Sequence, residues 1–268
     1  MIRLLAALCA LLWALLPASA LAEQVRIGFA PPTGRDLLYR IEQQRPVAGR
    51  MTRFSADRLL RFMAVEDGGY RLRATLTRID TDAAGEAGEP YRVALSPLIG
   101  LALDFRVDAQ GRITALDNMD AAWARVEAGL AAMRTGFAEG SARHRAVTNI
   151  LALFSGQTAD GRLALLSGEI QPLLLFANSV IDDERPRALK TVAGSPLGRP
   201  VPVEGLVALA GRHGDMLDLT ENLAGQGVRV DIRYRLSRVG GVVAEERRTL
   251  EMGDRKLTET RSVEGLSN

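Results

Sequence analysis

The feature that most constrains this chain is a strict alternation of apolar and polar residues that recurs between short turns. In Tyr70-Arg71-Leu72-Arg73-Ala74-Thr75-Leu76-Thr77, the residues Tyr70, Leu72, Ala74 and Leu76 share one face, and Arg71, Arg73, Thr75 and Thr77 the other. A period of two is that of a strand with one buried face. Arg58 to Val65 is a second such run, and Glu66-Asp67-Gly68-Gly69 supplies the turn between them, so the pair reads as a β-hairpin. Leu37 to Gln44 reads as the strand before it. Leu101, Leu103, Phe105 and Val107 alternate with Ala102, Asp104, Arg106 and Asp108 until Ala109-Gln110-Gly111 turns the chain into Arg112 to Leu116. A second series follows downstream: Leu206 to Ala210, Met216 to Leu223, Val228 to Leu236, Val242 to Glu251 and Lys256 to Val263. Its turns are Gly211 to Asp215, Gly225-Gln226-Gly227, Val239-Gly240-Gly241 and Gly253-Asp254. Connections this short join antiparallel strands, because a parallel pair needs a long crossover.

Between the two series the period changes to that of a helix. Behind a cap at Asp117 or Asn118, the residues Trp123, Val126, Leu130, Met133 and Phe137 fall at spacings of three and four. Ser141 can cap a second helix presenting Val147, Ile150, Leu151 and Phe154, and a third starts near Thr158 and runs to Leu166. Pro172-Leu173-Leu174-Leu175-Phe176 is apolar on every side and is expected to be buried. The prolines and acids of 182–205 read as a loop-rich link with one strand over Ala188 to Val192.

Together these patterns predict an α+β fold. It is a strongly curved antiparallel sheet or half-barrel of about nine to eleven strands, whose concave face is covered by an inserted block of two or three helices at about 118–178.

The first 22 residues read differently from the rest. Arg3, the apolar run to Leu16, Pro17 and the small residues of Ala20-Leu21-Ala22 have the form of a secretory signal peptide, with a cut after Ala20 as the alternative. The run is too short to span a bilayer. Cleavage after Ala22 leaves residues 23–268 as a single α+β domain in the periplasm, with no transmembrane anchor. Cys9 and Trp13 go with the signal, so no disulfide is available and Trp123 is the one remaining tryptophan. Thirty-three basic side chains then face 32 acidic ones, which argues against nucleic acid as a partner despite a pI near 9.0.

Catalytic signatures are missing from the sequence. There is no nucleophile elbow around Ser195, no S-x-x-K pair and no phosphate-cradling glycine loop. The two histidines, His144 and His213, lie on unrelated elements, so neither a metal site nor a cofactor is expected. Glu245 and Glu246 are adjacent on a strand and point to opposite faces. Asp182-Asp183-Glu184 reads as a solvated run. The chain is therefore expected to be no enzyme, with a hydrolase assembled from scattered residues as a second alternative.

The layout of signal peptide, early hairpins (Arg58 to Leu76, Leu101 to Leu116), inserted helices (Asn118 to Ser167) and closing strands (Val228 to Val263) resembles that of the periplasmic lipoprotein carriers, LolA-like and LolB-like proteins, and of the related lipid-binding mycobacterial lipoproteins. The resemblance implies a lipid, an acyl chain or another hydrophobic ligand held between sheet and helices. The aromatic residues that would line such a cavity are Tyr70, Phe105, Trp123, Phe154, Phe176 and Tyr234. The alternative is an envelope protein with a solid core that recognises a protein partner through a strand edge or its arginine-bearing face.

Overall fold

The computed structural model describes residues 24–66, 68–183, 185–193 and 201–265. The expected export signal, Asp67 and Glu184 fall outside them. The strands are β1 (Gln24–Arg26), β2 (Asp36–Val47), β3 (Arg50–Ala64), β4 (Tyr70–Thr81), β5 (Ala102–Val107), β6 (Ile113–Leu116), β7 (Val180–Asp182), β8 (Arg187–Ala193), β9 (Val201–His213), β10 (Met216–Gly225), β11 (Val228–Ser237), β12 (Val243–Met252) and β13 (Arg255–Glu264). The helices are α1 (Glu89–Leu95), α2 (Met119–Gly136), α3 (Ala142–Ser155) and α4 (Ala159–Ser167).

Eleven strands form one open, curved antiparallel sheet in the order β6-β5-β4-β3-β2-β13-β12-β11-β10-β9-β8. Each half is a run of hairpins, and the halves meet where β13 pairs with β2, Val263 opposite Tyr39. The turns between long strands are tight. Ala48-Gly49 and Gln226-Gly227 both place two successive residues at positive φ, the geometry that matches the twist of the strands they join. β1 and β7 pair with each other in a small second sheet.

The predicted alternation sets the faces. Leu72, Ala74 and Leu76 are buried on the inner face, while Arg73 on the outer face pairs with Asp104 of β5 at 2.7 Å. Asp57, also outward, receives Arg40 at 2.8 Å and Arg78 at 3.0 Å. The Arg40 hydrogen bond and the two guanidinium charges hold its carboxyl below the usual carboxylate range despite its burial.

Helix starts follow local capping. Ser141 Oγ accepts from His144 N at 3.1 Å and Thr158 Oγ1 from Gly161 N at 3.2 Å. Asn118 stands at the start of α2 but its side chain serves β5 instead, accepting from Asp104 N and donating to Ala102 O.

The helices cover only half of the inner face. Trp123, Val126 and Leu130 of α2, Val147 and Phe154 of α3 and Leu166 of α4 pack with Leu37, Leu60, Phe62, Leu72 and Phe105 of β2 to β5. Over β9 to β12 the apolar face is covered instead by Val25, Ile27, Ile181 and Phe176, from the small sheet and the chain beside it. Beside the three helices of the inserted block stands a fourth, α1, with Pro90 in its first turn. The expected strand over Ala188 to Val192 is β8, and β9 starts at Val201. One expectation is corrected here. Leu175 is 52% exposed although its neighbours Leu173, Leu174 and Phe176 are buried, because the turn Gln171–Leu174 points it outward.

Trp123 is the pivot of the helical layer: it is 2% exposed, stacked on Phe154 at 4.5 Å, with Arg162 over its ring. Trp123→Ala is expected to lower the unfolding free energy by ~3–5 kcal/mol. Urea unfolding checks this, and a loss under about 1 kcal/mol would show that the helices are not part of the cooperative core.

Candidate functional site

Where the two apolar clusters meet, the inner face carries charge. Tyr39 of β2 and Arg58 of β3 stand opposite each other, and Arg261, Glu246 and Tyr234 form a row across β13, β12 and β11. The next row runs through Gln43, Glu259, Arg248, Ile232 and Glu221. Glu221, Glu246, Glu259, Arg58 and Arg261 are all buried.

Most of this band is internally paired. Arg261 Nε donates to Glu259 at 2.7 Å and lies 3.9 Å from Glu246. Gln43 donates to Glu259. Glu169, just after α4, is the common partner on the other side: its carbonyl accepts from Tyr39 Oη at 2.7 Å and from Arg261 at 3.5 Å, and its carboxylate pairs with Arg58. Gln171 continues the tether, its amide oxygen accepting from Ile113 N at 3.0 Å and its amide nitrogen donating to Gly111 O at 3.1 Å. Gly111 is needed for this approach, since a Cβ there would lie 2.2 Å from Ala177 Cβ.

The tethered segment roofs a cavity of about 360 Å³. Gly168, Gln171, Pro172 and Leu175 lie above it, Thr191, Val192, Ala193 and Val203 at the β8–β9 side, and Leu223, Val230, Ile232, Glu221, Tyr234 and Arg248 below. Leu175 and Val192, 52% and 61% exposed, mark its rim. Its walls are thus apolar, and its polar groups gather on the floor.

The floor is electrostatically unusual. Burial pushes the Glu221 carboxyl above the ordinary carboxylate range, offset in part by the hydrogen bond from Tyr234 Oη at 3.1 Å and by the charges of Arg248 and Arg187. Burial and the neighbouring Glu221 also raise the Tyr234 phenol. Glu246, next along the band, is likewise raised by burial, with Arg261 opposing. Arg248 Nε is buried with no hydrogen-bond partner.

A second hollow of about 520 Å³ lies by Gly85, Glu86, Phe137 and Ser141. Its buried acid, Glu89, is already taken by Arg92 at 3.0 Å and Arg143 at 2.9 Å, so it leaves no polar group seeking a partner. No group of three or more metal-ligating side chains occurs among the described residues. His213 Nε2 faces Asp218 at 3.2 Å on the exposed surface, whereas Asp215 accepts from Ser237.

Of the six aromatic residues singled out from the sequence, Tyr234 lines the cavity. Phe176 meets it edge to face at 4.9 Å. Trp123 and Phe154 stack on each other under the helices, Phe105 is fully buried among them, and Tyr70 packs edge-on against Phe29 and Phe62. The six therefore fall in separate groups. Glu221 and Arg248 were not singled out, although the signal is in the text. Glu221 interrupts the buried series Leu217, Leu219, Leu223, and Glu259 and Arg261 occupy the inner register of β13 below Val263. Glu245 and Glu246 do part to opposite faces, and only Glu246 is buried.

No family model matches this chain, and no curated protein does. Among solved structures, one concerned with lipid–protein interactions in lipovitellin matches over 88% of this chain and 25% of its own, at 9% identity and a TM-score of 0.43. The chain thus spans about a quarter of that protein's length, and so loose a superposition carries no argument about function. No described helix is long and apolar enough to cross a membrane.

The raised Glu221 carboxyl has a signed consequence for stability. Its folded pKa lies above the unfolded value, so the folded state holds the extra proton between the two, and stability falls as pH rises through that window. Glu221→Gln removes the buried charge. The variant is expected to melt above the native protein at pH 8 and to lose that advantage as the pH falls towards the unfolded carboxylate value. Thermal unfolding across this range checks it; a variant less stable than the native protein at pH 8 would contradict the assignment.

Proposed function

We propose that this protein binds the apolar chain of a lipid or acyl group in the cavity between the Gly168–Leu175 segment and the inner face of β8 to β12. The observation that carries the reading is the coincidence of apolar walls, about 360 Å³ of space and a charged floor at one place on the inner face. Ligand cavities run from ~300 to 1,000 Å³, so the space admits one chain rather than a two-chain lipid. The site differs from the sequence expectation in its cover: the segment leaving α4 forms the roof, while the helices themselves close the other half of the sheet.

In this reading the protein is a non-catalytic carrier, comparable in role to LolA-like and LolB-like proteins. It works in the periplasm, to which the N-terminal segment would direct it. One observation favours a second reading: β8 is an edge strand of the large sheet, so seven residues, Arg187–Ala193, offer one backbone side to a protein partner.

Native mass spectrometry of the gently purified protein separates the two. A mass excess of one single-chain ligand, or uptake of one fluorescent fatty acid per protein, is expected. An apo mass with no uptake would overturn the carrier reading and leave the strand edge.

A further inference from the structure

The two buried arginines of the charged band meet carboxylates, whereas Arg248 on the cavity floor does not. Arg58 meets Glu169, and Arg261 meets Glu259 and Glu246. Arg248 has no carboxylate within ion-pair distance among the described residues, and its buried Nε has no acceptor. A guanidinium N–H left unpaired away from water is costly, and its forked donors match a carboxylate or phosphate.

The acids of its row do not fill the gap. Glu259, directly opposite on β13, is taken by Arg261 and Gln43. On the other side Arg248 stands opposite Ile232 and Ile232 opposite Glu221, so these two charged groups are separated by a strand. Glu221 already accepts from Tyr234 Oη at 3.1 Å. Burial favours the neutral form of its carboxyl, which makes the floor a poor host for a cation and leaves Arg248 as the charge to be answered. Beyond Ile232 the floor turns apolar through Val230 and Leu223, towards Val203 and Ala193.

We propose that the cavity takes a single-chain amphiphile with an oxyanion head, carboxylate or phosphate, received by Arg248, its chain lying over Ile232, Val230 and Leu223. The proposal rests on the carrier reading and adds the head-group chemistry to it. A fatty acid and a monoalkyl phosphate present the same feature, an oxyanion on one chain, and calorimetry tells them apart.

The test is titration calorimetry of the full-length protein with four probes of equal chain length: laurate, dodecyl phosphate, dodecanol and dodecyltrimethylammonium. At least one of the two anions is expected to bind about tenfold or more tightly than dodecanol, the effect of one charge-assisted hydrogen bond, and its rank against the other names the head. Arg248→Gln is expected to bring both anions down to the level of dodecanol, and Arg248→Lys to keep part of the gap. Leu223→Trp, which fills the floor, is expected to abolish binding of all four. The comparison on the native protein stands even if Arg248→Gln does not fold. Dodecanol or the cation binding as well as both anions would overturn the head-group assignment and leave the cavity reading intact. No binding by any probe would overturn both.

Discussion

The fold depends on what happens at Glu169. The chain leaving α4 must cross the middle of a wide sheet, and at that point the inner face presents Tyr39, Arg58 and Arg261 rather than apolar side chains. Glu169 answers all three through its carbonyl and carboxylate. Such buried pairs add little net stability over apolar packing, because desolvation offsets most of the attraction, but an unmatched member is strongly unfavourable. The crossing point is therefore specified: moved by one residue, the segment would leave Arg58 and Tyr39 without partners.

From that anchor the rest follows. Gln171 is set two residues further on, where its amide clamps the β5–β6 turn, and Pro172 and Leu175 then line the cavity over β10 to β12. The half of the sheet beneath the helices receives three amphipathic stripes, which join its inner face in one apolar cluster. Among the described residues the other half is covered by two three-residue strands, Phe176 and this tethered segment, and the cavity lies beneath that segment.

The strands and their antiparallel connections were legible in the sequence because the alternation is strict and the turns are short. Ser141 and Thr158 likewise announced their helices. β1, β7 and α1 were not legible, since three residues carry no readable period and the seven of α1 make only about two helical turns. β3 begins at Arg50, eight residues before its readable part, because Ser55 and Asp57 are buried polar residues that break the pattern. β8 was read as the strand Ala188 to Val192, whereas the start of β9 hid among prolines, and Pro202 is tolerated near the beginning of its strand. For the site, each charge in an apolar register could be seen singly on β3, β10 or β13. That they converge on one band depends on β13 pairing with β2, a contact between the ends of the chain that no local pattern encodes. Large aromatics drew attention instead, and most of them serve the two packed clusters.

The central claim is one of place: the ligand lies over β10 to β12 and under the tethered segment, not beneath the helices. A crystal of the protein grown with a fatty acid brominated along its chain gives the position directly from the anomalous signal of bromine. The account predicts a peak within van der Waals reach of Leu223, Val230 and Ile232, beside Leu175. A peak among Trp123, Phe154 and Phe105 would contradict it.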